Sequence, residues 1–246
     1  MALPCYLAMT GAEMQANLQL PPFPAWMACQ FSPCSTGLSN LPAQLPEGAM
    51  LILNDSTPIR GHDPKRIREQ LHELAARYKC GCILLDLQRE NNPETQAVVH
   101  TLLEDPPCPF GVSPFYAKDH FCPVFLPPCP TDILLEEYLS PWTGREVWLE
   151  AALDGQVITL KESGVEVIPQ PWGCAGDGKM ADADLCTHYR ITQKEDSLIF
   201  SLWRTPEDLT SLLEKAHNLG VTKAVGLWQE LGQLNRQESF CPNPRL

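Results

Sequence analysis

The chain has 246 residues, 44% of them hydrophobic, enough for one sizeable core and the usual length of a single α/β barrel. Its formal net charge is −12, from 18 Lys+Arg against 30 Asp+Glu. With no Lys/Arg cluster to neutralise phosphates, that balance argues against a nucleic-acid partner.

No run approaches the roughly 18 apolar residues of a membrane span, so no membrane partner is expected. The start, MALPCYLAMTGAEMQ, lacks the basic residues and long apolar core of a secretory signal, which predicts a cytoplasmic location. The 11 cysteines include no Cys-x-x-Cys, and Cys80-x-Cys82 has no second pair to complete a metal site. Most are expected to be reduced, buried core residues. No metal and no cofactor are expected.

Thr10 and Glu13 in "TGAE" have the form of a capping box opening a short helix, ended by "LPPFP". A strand is predicted over 25–31, a Pro/Gly-rich connection over 35–48, and a buried strand over 49–54. A helix over 63–79 has Asp63 as cap and Pro64 in its first turn. The next strand, 81–87, leads to a helix over 92–105 opened by Asn92 and Pro93. Short strands follow at 109–115 and 122–127, then a helix over 131–139 and a strand over 145–153.

Residues 155–169 hold two alternating runs around "KESG", a hairpin signal. A Gly- and Asp-rich loop covers 172–184. Strand-like runs 187–192 and 197–203 flank "QKED". Thr205, Pro206 and Glu207 open a helix that Gly220 closes. A last strand is predicted over 222–228, and 235–246 reads as a loose tail.

Taking strands at 25–31, 49–54, 81–87, 109–113, 122–126, 145–150, 197–202 and 222–228 gives an eight-stranded parallel α/β barrel. We read a single (β/α)8 TIM-like domain over 1–246, irregular, with reduced helices and an insertion over 155–184 that begins with the hairpin. The rival, an open doubly wound sheet, has no Gly-rich phosphate turn to support it.

The stretch "GCILLDLQRE" (81–90) is an apolar run that ends in acids. Along such a strand Ile83, Leu85 and Leu87 take one face, while Leu84, Asp86, Gln88 and Glu90 take the other. Barrel sites lie at the carboxyl ends of the strands, so this second set climbs toward the mouth. The stretch resembles the third-strand motif of the chitinase-like glycoside hydrolases, Asp-x-x-Asp-x-Asp-x-Glu. Asp86 and Glu90 match the second and last acids, while Ile83 and Gln88 stand in the other two places. Residues 209–229 are similar to that family's closing helix and strand, with Trp228 in the place of the Trp under the substrate sugar. The resemblance implies Glu90 as general acid, coupled to Asp86, and a saccharide as ligand. A neutral Gln88 holds an amide or carbonyl by hydrogen bond, but brings no charge to an oxazolinium.

Glu150 shares a strand face with Glu146 and Trp148, and points into the barrel if Val147 and Leu149 face the helices. It is a candidate base or nucleophile opposite Glu90. Gln30, Asn54, Asp55 and Tyr116 end or follow strands and are candidate ligand-binding groups. Plainer roles stand beside these: Asp86 tied to Arg145, Glu90 and Glu150 as solvated acids, Trp228 as core, and His62 in a loop before a capped helix. With two of the four motif acids replaced, we expect a degenerate, non-catalytic binder of a saccharide or other polar small molecule, with an active glycoside hydrolase as the alternative. The sequence leaves the oligomeric state open.

Overall fold

A computed structural model describes residues 3–17, 19–34, 37–88, 93–118, 120–170 and 180–235. In chain order the elements are β1 (Cys5–Met9), α1 (Gly11–Ala16), β2 (Pro24–Phe31), β3 (Leu38–Ser39), β4 (Met50–Asn54), α2 (Pro64–Tyr78) and β5 (Cys82–Asp86). Then come α3 (Pro93–Glu104), β6 (Phe110–Val112), α4 (Pro114–Ala117), β7 (Val124–Leu126), α5 (Leu135–Leu139) and β8 (Val147–Ala151). The remainder is β9 (Gly155–Lys161), β10 (Gly164–Gln170), β11 (Met180–Asp182), β12 (Thr187–Lys194), β13 (Ser197–Trp203), α6 (Pro206–Asn218), β14 (Val221–Leu227) and α7 (Trp228–Asn235).

One sheet has the order β1-β14-β8-β7-β6-β5-β4-β2-β3, and β1 also pairs with β2. Apart from β3, which runs antiparallel on β2, its strands form a closed eight-stranded parallel barrel with few helices, as the sequence predicts. Several barrel strands are short apolar runs buried on both faces, as in the all-buried pattern of β1 and the 0–5% exposure of Met50 to Leu53. Each Leu or Ile so buried contributes about 1.5–3 kcal/mol of transfer free energy.

Two strand assignments change. Residues 197–203 are not a barrel strand: β13 pairs antiparallel with β9 and β12 in a second, five-stranded sheet of order β10-β9-β13-β12-β11. The eighth stave is instead β1, in the stretch read only as a signal-free start. The "GCILLDLQRE" strand is therefore the fourth of the barrel. The hairpin expected over 155–169 is present as β9 and β10, with Lys161 paired to Gly164 across its turn.

Local signals account for the helix starts. Thr10 and Glu13 form the reciprocal capping box of α1, and Thr205 and Asp208 form that of α6. Asp63 caps α2 through Lys65 N, and Ile67, Leu71, Leu74 and Ala75 make its buried stripe. Of the loop expected over 172–184, residues 172–179 lie outside the described residues and Met180–Asp182 is instead the strand β11; Asn92 and residues 236–246 also lie outside the described residues. No described helix is long and apolar enough to cross a membrane.

The chain divides into two compact units. One comprises Met1–Pro4, Pro127–Gly144 and Leu149–Leu246; the other comprises Cys5–Leu126 and Arg145–Trp148.

Candidate functional site

In the Cys5–Leu126 unit, strand register lines up three polar residues. Gln30 pairs with Asn54, and Asn54 pairs with Asp86, across β2, β4 and β5. All three are half-buried and stand at the carboxyl ends of their strands, where a parallel barrel presents its ligands. On the same face, two residues below Asp86, Leu84 pairs with Gly111. The indole of Trp148, with no exposed surface, lies over Gly111. A ring reaching from β8 past β7 to β6 does so most directly on the concave side of a curved sheet. Asp86 thus shares the barrel-facing side with this buried floor.

Asp86, Gln88 and Asp55 form one network. The Gln88 side-chain amide donates to Asp86 Oδ1 at 3.0 Å, and the Gln88 backbone N–H donates to Asp55 Oδ1 at 3.1 Å. Asp55 is 6% exposed. Burial raises the Asp86 pKa from its ordinary value; the Gln88 amide pulls it back and the Asp55 charge raises it further. Arg145, a possible partner for Asp86, instead donates to the carbonyls of Ala117, His120 and Cys122.

Tyr116 lies in α4, directly after β6, and is 8% exposed. Its hydroxyl is buried and has no hydrogen-bond partner among the described residues. Burial, then the Asp55 charge, raises its pKa, so the phenol stands in the field of the same acid. A buried hydroxyl left unpaired costs about 1–3 kcal/mol.

Asn54 is differently employed. The ladder between β2 and β4 shifts register between Trp26 and Cys29, and Asn54 Nδ2 donates to the Met27 carbonyl in that bulge at 2.9 Å. Its Oδ1 accepts from the Ser56 backbone at 3.0 Å and from the Ser56 hydroxyl at 2.5 Å. Both ends of the amide are committed to local structure. His62 is likewise a loop residue: Nδ1 accepts from Arg60 N at 3.2 Å, and Nε2 lies 3.1 Å from the Ser32 carbonyl. Glu90, the matched terminal acid, lies outside the described residues.

The other unit carries its own polar cluster at strand ends. Glu150 shares its face of β8 with Trp148 and is half-buried, and its charge contributes to raising the pKa of Tyr138, which burial dominates. Tyr138 donates its hydroxyl proton to the Pro127 carbonyl at 2.9 Å. Beyond β8, Arg204 is 3% exposed and donates to the Cys129 carbonyl at 2.6 Å, the Pro130 carbonyl at 3.1 Å and Asp154 Oδ1 at 3.1 Å. Glu230 accepts the Leu153 N–H. Its pKa is raised by burial and further by Asp154. Trp228 opens α7 half-buried, its ring against Gly232 one turn along. Asp154, Arg204 and Glu230 were not among the sequence candidates. Their pairing spans some fifty to eighty residues and leaves no local pattern.

Among the described residues no group of three His, Cys, Asp or Glu is arranged to hold a metal ion. No disulfide joins the nine described cysteines to one another. Burial pushes Cys29 and Cys108 up to about 12, and Cys80 and Cys129 up to about 11, which keeps these four protonated and poorly nucleophilic at neutral pH.

No family model and no curated protein matches the sequence. Solved structures do match the fold. The C-terminal domain of a chitinase candidate from Desulfitobacterium hafniense DCB-2 superposes with a TM-score of 0.57 at 10% identity, over 96% of this chain and 99% of that one. The spore cortex-lytic enzyme SleL of Bacillus cereus gives 0.52 at 8% identity, over 91% and 70%. A chitinase from Chromobacterium violaceum ATCC 12472 gives 0.50 at 10% identity, over 92% and 93%. The chain therefore has an irregular TIM-like barrel fold that distantly resembles those of the chitinase-like glycoside hydrolases.

Proposed function

We propose that this barrel binds a saccharide or a similar polar small molecule at the Asp55–Asp86–Gln88–Tyr116 cluster, without hydrolysing it. The observation that carries the reading is the Gln88–Asp86 hydrogen bond of 3.0 Å. It occupies the place where the resemblance calls for two charged carboxylates. An amide tied to a carboxyl orients a ligand by hydrogen bonding, but supplies no second negative charge to a developing cation. Ile83, in the place of the first motif acid, is completely buried. The buried, unpaired Tyr116 hydroxyl adds a donor or acceptor for a ligand oxygen.

One observation favours the hydrolytic alternative. The pKa of Asp86 is shifted upward, the direction a general acid requires, and Glu90 would then act beside it. The two readings separate in one experiment. Neutral oligosaccharides are titrated calorimetrically into the wild type, Tyr116→Phe and Glu90→Gln, and the same proteins are assayed on a panel of chromogenic glycosides. Binding without turnover, weakened in Tyr116→Phe, supports the binder. Turnover abolished by Glu90→Gln supports the hydrolase. Neither binding nor turnover with any saccharide overturns both.

A further inference from the structure

The five-stranded sheet has one charge-free apolar face on its four long strands. Register places Val167 opposite Ile158, Ile158 opposite Phe200, and Phe200 opposite Ile191, a row of four large apolar residues across β10, β9, β13 and β12. Val165 on the same face is 66% exposed, Val167 51% and Ile191 43%. The opposite face carries the charges: Lys161 and Glu166, bridged at 2.9 Å, with Arg190 and Lys194. Gln156 and Gln193 mark the polar limits of the apolar face. This is the anatomy of an interface, an apolar centre with a polar rim, where Gln156 donates to Asp132 Oδ1 at 2.6 Å and the short strand β11 adds Asp182 opposite Thr187. Leu202 at the root of this face is buried, but toward Val165, Val167 and Ile191 the face leaves exposed the surface that layered folds normally cover.

We infer that this face is where two copies of the chain associate, sheet face against sheet face. Two observations select a second copy as the occupant. The chain carries a net charge of −12, so two copies repel over most of their surface, and a face without charge on its long strands is where that repulsion is least. The area also suits a weak dimer. Strands of seven residues, laid side by side in a five-stranded sheet, outline about 500 Å² per copy and about 1,000 Å² for a pair. That stands at the lower limit for a specific interface, so dimer and monomer exchange with concentration. Edge-to-edge pairing is disfavoured, because β10 contains Pro169, which lacks the N–H that a new ladder would need. The inference is independent of the ligand reading.

The test is sedimentation equilibrium of the full chain from about 1 µM to about 500 µM, a span that covers weak dimers. Wild type is compared with Val167→Lys/Ile191→Lys, both positions being exposed enough to accept lysine without disturbing the fold. The wild-type mass should rise toward twice the monomer, while the variant, with an unchanged circular dichroism spectrum, stays monomeric or dimerises at least tenfold more weakly. A wild type that remains monomeric throughout overturns the inference, whether hydrogen exchange shows the face open or covered by the chain's own remaining residues. A variant that dimerises as the wild type does overturns it equally, by placing the contact elsewhere.

Discussion

Replacing Gly111 by alanine tests the buried floor beneath the polar cluster. A Cβ at Gly111 would lie 2.3 Å from Cε3 and 2.4 Å from Cζ3 of Trp148. Carbon contacts are favourable near 3.5–4.0 Å, so the ring must retreat by about 1.1 Å or more. Trp148 has no exposed surface to retreat into, and its indole N–H is held by Glu146 Oε1 at 2.9 Å. Turning the ring off its rotamer costs about 0.5–1.5 kcal/mol, and losing the hydrogen bond about 1 kcal/mol more. Against this, removing a strand glycine returns about 0.5–1 kcal/mol of chain entropy. The net expectation for Gly111→Ala is a loss of about 0.5–2 kcal/mol, read as a lowered urea midpoint at unchanged slope and a changed near-ultraviolet circular dichroism band of the indole. Trp148→Phe in the same background should recover part of the loss, because the smaller ring leaves room for the methyl. A Gly111→Ala protein with an unchanged or higher midpoint would refute the packing argument, and with it the placement of Trp148 under the Asp86 face.

Tyr116→Phe should leave stability unchanged or raise it by up to about 1 kcal/mol, since it removes a buried hydroxyl that has no partner among the described residues, while lowering ligand affinity; thermal melts with and without ligand check both signs. Asp86 has a raised folded-state pKa, so the native state holds its proton to higher pH than the unfolded chain does. Its contribution to stability is therefore most favourable below the unfolded pKa, and falls as pH rises through the folded one. Asp86→Asn should accordingly be more stable than wild type at pH 7 and lose that advantage at acid pH, as denaturation at a series of pH values would show. Arg204→Met strips partners from the Cys129 and Pro130 carbonyls and from the partly exposed Asp154, and should cost about 1–3 kcal/mol in chemical denaturation, the scale for leaving buried acceptors unpaired. Thr205→Ala removes the capping box of α6 and should cost about 1 kcal/mol, measurable by the same method.

What the sequence revealed follows from where its signals are local. The caps at Thr10, Asp63 and Thr205 are read within four residues, and the corresponding helices begin as expected. The central barrel strands were legible as short apolar runs. The exchange of β1 for β13 has a physical origin. "CYLAM" is five residues buried on both faces and offers no alternation, while "SLIFSLW" mixes half-buried residues on both faces of an antiparallel sheet. Hydrophobic periodicity cannot tell a barrel stave from such a strand. Asp86, Asp55 and Tyr116 were singled out as candidates because they end or follow strands, and the structure places them there. The commitment of Asn54 to a bulge carbonyl, the tie between Gln88 and Asp86, and the lack of a hydrogen-bond partner for the buried Tyr116 hydroxyl among the described residues are three-dimensional facts with no one-dimensional trace.

The five-stranded sheet is moored to α6 at several points. His188 Nδ1 lies 2.6 Å from Asp208 Oδ2, and Lys215 Nζ donates to the carbonyls of Ala183 and Asp184 at 2.8 and 3.0 Å. At its root, Arg204 N donates to the Asp154 carbonyl at 3.1 Å. A protein engineer who excised 155–203 as a cassette would leave those anchoring groups on the helix with nothing to hold. Grafted elsewhere, the sheet would arrive without its rigging, so any transplant must carry the helix along.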